Sequence, residues 1–386
     1  MPQRIYLDNA STTYPKPPCV AEAAFAYMTE AGTNVGRGDY SSAFAVEDIV
    51  FECRERLCTL LGGADPSLVA FTRNVTESLN LVLKGLLEPG DHVIVSSMEH
   101  NAVMRPLMQL RERGVTFSRA QCAGDGTLDA AGVEALIGPA TRAVVMTHAS
   151  NVCGTVLPVD EVGAVCERHG LLFIVDAAQT AGAVPLDMRR CRASAICFTG
   201  HKGLLGPQGT GGALFAPGVA ERVEPLVAGG TGSASDSELM PAFMPDRLEA
   251  GTPNLPGIVG LHAALGWLLE QPEGAVLAHE RALTERLLAG LSPLQARGLV
   301  RTLGLPGPSG RTGVVSIQTP GRELASVAHE LDARHGIQAR VGLHCAPSAH
   351  RTLGTFPTGT IRFSVGWSTT GEDIDRALAA LTDTLG

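Results

Sequence analysis

The sequence contains no long hydrophobic run. No apolar segment approaches the roughly 18 residues that a membrane-spanning helix needs. The opening stretch MPQRIYLDNASTT also lacks the apolar centre of a secretory signal peptide. We therefore expect a cytoplasmic protein that does not associate with membranes.

Basic clusters and aromatic residues are scarce as well. The 386-residue chain carries a formal net charge of −9, and no local run of lysine and arginine offsets it. This acidic balance argues against a nucleic-acid-binding surface. Aromatic residues make up 4% of the chain, whereas glycine (45) and proline (24) are plentiful and apolar residues reach 45%. The composition favours an α/β protein with a sizeable core and many short loops.

The nine cysteines are irregularly spaced and include no CxxC pair. They indicate free thiols rather than a disulfide framework or a zinc site. Cys53 falls in phase with Val46, Leu57 and Leu61 on one helical face, and we expect it to be a small core residue.

Strand-like and helical segments alternate between about residues 20 and 215. The apolar runs are at 68–71, 92–96, 142–147, 171–175, 195–198 and 212–215, and the helical stretches are at 44–61, 76–87, 101–113, 130–137 and 159–169. This alternation predicts βαβ units around a mostly parallel, buried sheet. Ligands of such sheets bind at the carboxyl ends of the strands, so the residues after each apolar run are candidates for a functional site.

The second half of the chain predicts a smaller α/β unit. Its expected elements are an irregular stretch at 229–256, a long helix at about 256–270, strands near 313–318 and 360–365, and helices near 322–335 and 371–385. We therefore expect a large domain over residues 16–270 and a small C-terminal domain over residues 271–386, with residues 1–15 packing on the small domain.

Polar residues follow several of the predicted strands. Asp176 follows LLFIV, Asn151 follows AVVMTHAS, and His100 lies shortly after HVIVSS. Each residue has a structural alternative: a helix cap or salt bridge for Asp176, a turn cap for Asn151 and a packing role for His100. After VAF a helix begins within TRNVTE, where free N–H groups suit a phosphate. Asn74 or Thr76 at that point also suits an ordinary N-cap.

Lys202 lies between an apolar run and a glycine-rich segment, in FTGHKGLLGPQGTGG. A loop lysine is usually solvated. At one sheet edge with a carboxylate, a histidine and a phosphate-binding helix start, however, it matches what pyridoxal 5′-phosphate (PLP) requires: a lysine for a Schiff base, an acid for the ring nitrogen and an anion site. The sequence has no metal-ligand spacing and no GxGxxG or GxxxxGK[ST] fingerprint.

A series of ordered motifs spans nearly the whole chain. They are YLDNASTT (6–13), NVGRG (34–38), FTRNVTESLN (71–80), EHNA (99–102), SNVCGTVLP (150–158), VDAAQTAG (175–182), TGHKGLLGPQGTG (199–211), LEAGTPN (248–254), RVGLHCAP (340–347) and TIRFS (360–364). Together these motifs resemble the class V aminotransferase family and, within it, the cysteine desulfurases and selenocysteine lyases. The resemblance implies a PLP-dependent transferase of fold type I, with a mostly parallel mixed sheet in the large domain.

The resemblance also implies the cofactor-binding residues. Lys202 would carry PLP covalently, Asp176 would pair with the ring nitrogen, Gln179 would bind the ring hydroxyl, and His100 would stack on the ring and relay protons. The implied phosphate ligands are Thr76 with the N–H of Val75, Thr199, His201 and, from the other subunit of a homodimer, Thr252 beside Gly251.

On the substrate side the resemblance implies Asn151 and Arg362, with Arg362 forking onto the carboxylate of an amino acid. Arg340 would border the same pocket. The RVGLHCAP loop would carry the sulfur-accepting Cys345, which takes sulfur from L-cysteine as a persulfide while alanine is released. We expect nearby Arg340, His344 and His350 to favour its thiolate, and a polar loop, SAHRTLGTFPTG, to follow.

Three positions depart from the family pattern. Val75 stands where relatives commonly have alanine or threonine, and Gly36 and Tyr40 stand where many relatives have histidine. These departures leave the substrate and any sulfur-acceptor protein open.

Our leading hypothesis is a PLP-dependent cysteine desulfurase acting on L-cysteine. The alternatives are a selenocysteine lyase acting on L-selenocysteine, and another class V aminotransferase or β-lyase in which Cys345 is incidental. A non-enzymatic sulfur-relay protein is a further alternative, but it would need none of Lys202, Asp176 and Arg362.

Overall fold

The computed structural model describes residues 4–36 and 40–386. Its strands, in chain order, are β1 (Ile5–Tyr6), β2 (Val69–Thr72), β3 (His92–Ser96), β4 (Thr116–Ala120), β5 (Thr141–Thr147), β6 (Leu172–Asp176), β7 (Ala195–Thr199), β8 (Gly211–Phe215), β9 (Arg301–Thr302), β10 (Val314–Gln318), β11 (Ile337–Gln338), β12 (Arg340–Gly342) and β13 (Thr360–Ser364). Its helices are α1 (Pro18–Ala26), α2 (Ser41–Leu61), α3 (Val75–Leu86), α4 (Asn101–Arg111), α5 (Ala130–Glu134), α6 (Val159–Arg168), α7 (Leu255–Glu270), α8 (Ala275–Ala296), α9 (Leu324–His335), α10 (Pro347–Thr352) and α11 (Gly371–Leu385).

Seven strands form the large sheet, in the order β2-β8-β7-β6-β5-β3-β4. Strand β8 runs antiparallel to both of its neighbours, and the other neighbouring strands are parallel. Every residue of β6, β7 and β8 is buried, as expected for a sheet that helices cover on both faces. The predicted mostly parallel mixed sheet is confirmed.

Two apolar clusters fill the space between this sheet and its helices. One cluster includes Cys53 and Leu57 of α2 and Leu261 of α7. The other includes Leu79 of α3 and Leu107 of α4. Cys53 is fully buried, which confirms its expected place in the core.

A second sheet, antiparallel in the order β12-β13-β10-β9, contains the C-terminal strands. The N-terminal segment joins this part of the molecule, because β1 pairs in parallel with β11. The proposed division near residue 270 falls between the end of α7 and the start of α8 and stays a prediction.

Some elements were not expected from the sequence. Strand β4 lies at the edge of the large sheet and is partly exposed, so it has no continuous apolar run. Helix α8 follows a left-handed Gly274 and has no capping side chain, so it lacks a start signal. The segment SAHRTLGTFPTG, expected to be a loop, begins within α10. Over the described ranges, no helix is long and apolar enough to cross a membrane.

Candidate active site

Lys202 lies just beyond the carboxyl end of β7, as the sequence predicts. The N-terminal segment holds the backbone at this point through Thr13. Its Oγ1 donates to the carbonyl of Lys202 at 2.8 Å, and its N–H donates to the carbonyl of His201 at 2.9 Å. The turn is tight: a Cβ added at Gly203 would lie 2.5 Å from the carbonyl of Ala181. The close approach of the two backbone segments therefore leaves room only for glycine after Lys202, and it fixes the backbone of the lysine.

The amine of Lys202 is in an unusual electrostatic environment. Burial lowers its pKa to about 8, and Asp176 opposes this shift. Arg362 and Arg340 lower the pKa further, whereas Asp8 raises it. These four charged residues therefore surround Lys202 closely enough to act on it, although they come from three distant parts of the chain.

Asp176 ends β6 and is almost fully buried. One of its carboxylate oxygens accepts a hydrogen bond from the N–H of Ala178 at 2.9 Å, so the residue also stabilises the turn that follows the strand. Burial raises the pKa of Asp176, and the same hydrogen bond and Lys202 oppose this. The structural and functional interpretations of Asp176 are thus compatible.

His100 is the N-cap of α4. Its Nδ1 accepts from the N–H of Ala102 at 3.0 Å, so that nitrogen carries no proton in this arrangement. Burial, together with the positive charge of Lys202, lowers the pKa of His100 to about 4. The imidazole is therefore neutral and keeps its proton on Nε2.

Several predicted phosphate ligands lie at one edge of the large sheet. Asn74 caps α3 through Glu77, which leaves the first N–H groups of that helix, at Val75 and Thr76, for another acceptor. Thr199 pairs with Gly211 in β8, and a Cβ on Gly211 would lie 2.7 Å from the backbone of Asn74. The close approach brings the end of β7 and the start of β8 against the start of α3.

His201 also has a polar atom without a partner in the described ranges. Its Nδ1 is buried and has no hydrogen-bond partner among the residues that the structure describes. Burial lowers its pKa to about 4, so the ring is neutral. Gly251 and Thr252, predicted to act across a dimer, lie on the surface of this chain, and their role across a dimer stays a prediction.

Arg362 and Arg340 lie directly opposite each other on β13 and β12. Nη2 of Arg362 is 2.7 Å from Oδ1 of Asp8 and 2.8 Å from Oγ of Ser11. Nη1 of Arg340 donates to the same hydroxyl at 2.7 Å. The side chain of Arg362 is almost completely buried, and burial lowers its pKa while Asp8 opposes the shift.

Asn151 and Gln179 make contacts within the chain that the sequence did not predict. The side-chain amide of Asn151 donates to the carbonyl of His344 at 2.7 Å, and the backbone carbonyl of Asn151 accepts from Nη1 of Arg362 at 3.1 Å. The amide of Gln179 donates to the carbonyl of Ala10 at 3.1 Å. Both side chains therefore connect segments that are distant in sequence.

Cys345 is exposed, unlike the other eight cysteines, all of which lie in described residues. Its carbonyl accepts from the N–H of Asn101 at 2.8 Å, which ties the loop to the start of α4. His344 and Cys345 both adopt left-handed backbone conformations, with φ of 47° and 57°. Such angles are costly without glycine and persist because neighbouring bonds fix the loop. The thiol opens into a crevice that His100, Thr76 and Arg105 also line.

The histidines next to Cys345 do not have the expected role. Burial lowers the pKa of His344 far below its usual range and that of His350 to about 4. Both rings are therefore neutral and bond to threonine hydroxyls, His344 to Thr360 at 2.9 Å and His350 to Thr355 at 2.6 Å. The expectation that these two histidines supply positive charge to the thiol is wrong. Of the three residues named for this role Arg340 remains, and Arg105 lines the same crevice as the thiol.

Comparison with known proteins agrees with this geometry. The model of the family "Aminotransferase class-V" matches residues 5–377. The chain belongs to the class V aminotransferase family. A probable cysteine desulfurase from Methanothermobacter thermautotrophicus is 35% identical, over 96% of this chain and 92% of that relative. Another from Pyrococcus abyssi is 32% identical, over 98% and 94%.

Solved structures give the same result. The cysteine desulfurase from Thermococcus onnurineus NA1 has a TM-score of 0.91 and 31% identity, with 98% of this chain and 94% of that chain covered. The cysteine desulfurase CsdA from Escherichia coli has a TM-score of 0.86 and 28% identity, with the same coverage. The predicted family and the α/β fold are confirmed.

Sequence reasoning missed two residues of this class V site, Asp8 and Ser11. Both belong to YLDNASTT, but they follow a two-residue strand that the sequence did not predict.

Two of the positions that depart from the family pattern lie before or at the start of α2. Gly36 donates its N–H to Glu47 at 2.6 Å, and Tyr40 precedes α2. Arg37 and Gly38 of the NVGRG motif lie outside the described residues.

Proposed function

We propose that this protein is a PLP-dependent cysteine desulfurase, which converts L-cysteine into L-alanine and transfers the sulfur to Cys345. The observation that carries the proposal is the position of the Cys345 thiol. It is exposed in a loop held by α4 and Asn151, in the same crevice as His100 and Thr76. The names of the relatives, cysteine desulfurases, support the same activity.

The residues around Lys202 fit PLP. Nδ1 of His201 is buried without a partner in the described part of the chain, and the first N–H groups of α3 are not used by the Asn74 cap; a phosphate would satisfy these groups. Lys202 would attach the cofactor and Asp176 would pair with its ring nitrogen. When bound, PLP supplies a ring that stabilises negative charge on the α carbon of the amino acid. Thr76, the N–H of Val75 and Gln179 remain proposed contacts.

The chain's own residues would then bind the substrate and move its protons. Arg362 would hold the carboxylate of the amino acid, with Arg340 and Asn151 at the border of the pocket. Because the pKa of Lys202 is lowered to about 8, part of its amine is neutral near neutral pH and can accept a proton. His100 accepts at Nδ1 from Ala102 and therefore keeps its proton on Nε2, from which it would return a proton.

Cys345 would carry out the sulfur transfer. Its thiolate attacks the sulfur of L-cysteine, a bond forms between the two sulfur atoms, and the Cβ–S bond breaks. The electron pair of that bond stays on the carbon fragment, which takes up a proton and leaves as alanine. The persulfide on Cys345 lies at the surface, where a sulfur-acceptor protein could take the sulfur.

We also propose that the enzyme is a homodimer. The segment LEAGTPN is fixed to the large sheet through Glu249, which accepts from the N–H of Phe71 at 2.6 Å and pairs with Arg54 at 2.7 Å. Thr252 on this segment is exposed and would face the phosphate of a neighbouring subunit. Large apolar side chains are exposed as well. Phe44 and Phe51 lie on α2, and Val227, Leu239 and Phe243 lie in the stretch that precedes LEAGTPN.

The test is to incubate the purified protein, reconstituted with PLP and with a thiol reductant, with L-cysteine and separately with L-selenocysteine. We expect equal amounts of alanine and sulfide from L-cysteine. Alanine formed from L-selenocysteine alone would identify a selenocysteine lyase instead. No alanine from either substrate would contradict the proposal and favour another class V activity.

A further inference from the structure

Groups of the chain itself already accept hydrogen bonds from three of the N–H bonds of the Arg362 guanidinium. Nη2 donates to Asp8 at 2.7 Å and to Ser11 at 2.8 Å, and Nη1 donates to the carbonyl of Asn151 at 3.1 Å. Nε has no hydrogen-bond partner in residues 4–36 and 40–386. A guanidinium has five N–H bonds, so two of them, one on Nε and one on Nη1, remain for a ligand.

These two free N–H bonds do not form a fork. A carboxylate that binds a guanidinium with both oxygens uses either Nε with Nη2 or Nη1 with Nη2. Both edges include Nη2, whose two hydrogens are already used by Asp8 and Ser11. A carboxylate can therefore bind Arg362 with both oxygens only if one of these two partners moves away.

Asp8 is the partner that can move. Its side chain is 23% exposed, whereas that of Arg362 is 2% exposed, so the carboxylate can turn into water and the guanidinium cannot. Ser11 is more strongly held, because it donates to Asp8 at 2.7 Å and accepts from both Arg362 and Arg340. Of the two partners of Nη2, the Asp8 carboxylate is therefore the one that an incoming carboxylate would displace.

We propose that Asp8 is a specificity-determining residue whose carboxylate competes with that of the amino acid for Arg362 and is displaced when the amino acid binds. The proposal rests on the proposed function only in taking Arg362 as the carboxylate site. In this arrangement the buried arginine always has an anionic partner, which avoids the cost of an unpaired buried charge. Competition weakens the binding of substrate and product alike, and an amine without a carboxylate does not displace Asp8.

The experiment compares two ligands in the PLP-loaded protein. L-alanine carries an amine and a carboxylate, and ethylamine carries the amine alone. Each is titrated into the wild type and Asp8→Asn while the absorption of the bound cofactor is followed, which measures binding and not turnover. We expect the dissociation constant of L-alanine to fall about tenfold in Asp8→Asn, since the competing charge is gone. The dissociation constant of ethylamine should stay the same.

Matched variants isolate the effect. Asp8→Glu keeps the charge and should bind L-alanine no more tightly than the wild type. Asp375→Asn breaks an exposed pair with Arg286 and should leave both titrations unchanged. If Asp8→Asn does not fold, Asp8→Ser removes the same charge and takes its place in the comparison.

Other results overturn the proposal. Weaker or unchanged L-alanine binding in Asp8→Asn would mean that Asp8 only orients Arg362, and an equal change for ethylamine would mean that Asp8 acts through Lys202. The absence of L-alanine binding in both proteins would also overturn it. A wild type that binds L-alanine but makes none from L-cysteine would contradict the proposed function and leave this comparison valid.

Discussion

The side-chain amide of Asn151 donates a hydrogen bond to the carbonyl of His344, with a nitrogen–oxygen distance of 2.7 Å. The backbone carbonyl of Asn151 accepts from Arg362 at 3.1 Å. One asparagine near the end of β5 therefore holds both the loop of Cys345 and the buried arginine. The two contacts join the large sheet to the C-terminal strands at the point where substrate and nucleophile would meet.

Replacing Asn151 should loosen the Cys345 loop without removing the thiol. In Asn151→Asp the donor is lost and the buried carbonyl of His344 is left unpaired, which typically costs about 1–3 kcal/mol. We expect bound PLP to be retained and alanine formation from L-cysteine to fall at least about tenfold. Faster alkylation of Cys345 by iodoacetamide would show that the loop has loosened, and wild-type rates in both assays would contradict the prediction.

Cys345→Ala should keep bound PLP but lose most alanine production from L-cysteine, since the sulfur acceptor is gone. Intact mass spectrometry of the wild type after L-cysteine should show one added sulfur atom, which the variant lacks. Turnover of L-selenocysteine should persist, because selenium is the better leaving group. Cys122→Ala, at a half-buried cysteine, is the control and should behave as the wild type. A Cys345→Ala variant with full activity would make Cys345 structural.

Arg362→Ala should weaken amino-acid binding, because the guanidinium that holds the carboxylate is removed. A bidentate charged pair of this kind typically contributes a few kcal/mol, so we expect roughly a 100-fold loss of kcat/KM, mostly through KM. Arg340→Ala should have a smaller effect, since Arg340 reaches the pocket through Ser11. Steady-state kinetics with L-cysteine measure both, and an unchanged kcat/KM in Arg362→Ala would place the carboxylate elsewhere.

The dimer is tested by light scattering at assay concentration, where we expect twice the mass of one chain. Thr252→Ala should leave this mass unchanged but weaken PLP retention, because its hydroxyl would contact the phosphate of the other subunit. A fully active monomer would refute both expectations.

The sequence predicted those parts of the site that depend on local pattern. Lys202 and Asp176 follow buried apolar strands, and in an open parallel sheet the ends of such strands meet at one edge. His100 and the start of α3 could be located in the same way.

Contacts between distant segments could not be predicted in this way. The pair Asp8–Arg362 spans 354 positions and Asn151–His344 spans 193, and no periodicity encodes either. The neutral state of His344 depends on burial by the assembled fold. Proximity in sequence suggested that His344 carries positive charge beside Cys345, and burial in the assembled fold prevents this.

The buried amine of Lys202 should make the stability of the cofactor-free protein depend on pH. Burial lowers its pKa from the usual 10.5 to about 8. Below about pH 8 both the folded and the unfolded chain hold the proton, and folding carries the full cost of burying the cation. Between about pH 8 and 10.5 the unfolded chain binds more protons, so this cost disappears as the pH rises.

Lys202→Met removes that cost at every pH. With PLP removed from both proteins, we expect Lys202→Met to melt several degrees above the wild type at about pH 7 and the difference to shrink towards pH 10. Lys16, whose pKa burial also lowers to about 8, is present in both proteins and cancels from the comparison. Lys84→Met, on α3, measures the effect of the substitution itself. A melting-temperature difference that stayed constant between these pH values would show that the amine of Lys202 is not buried as a cation.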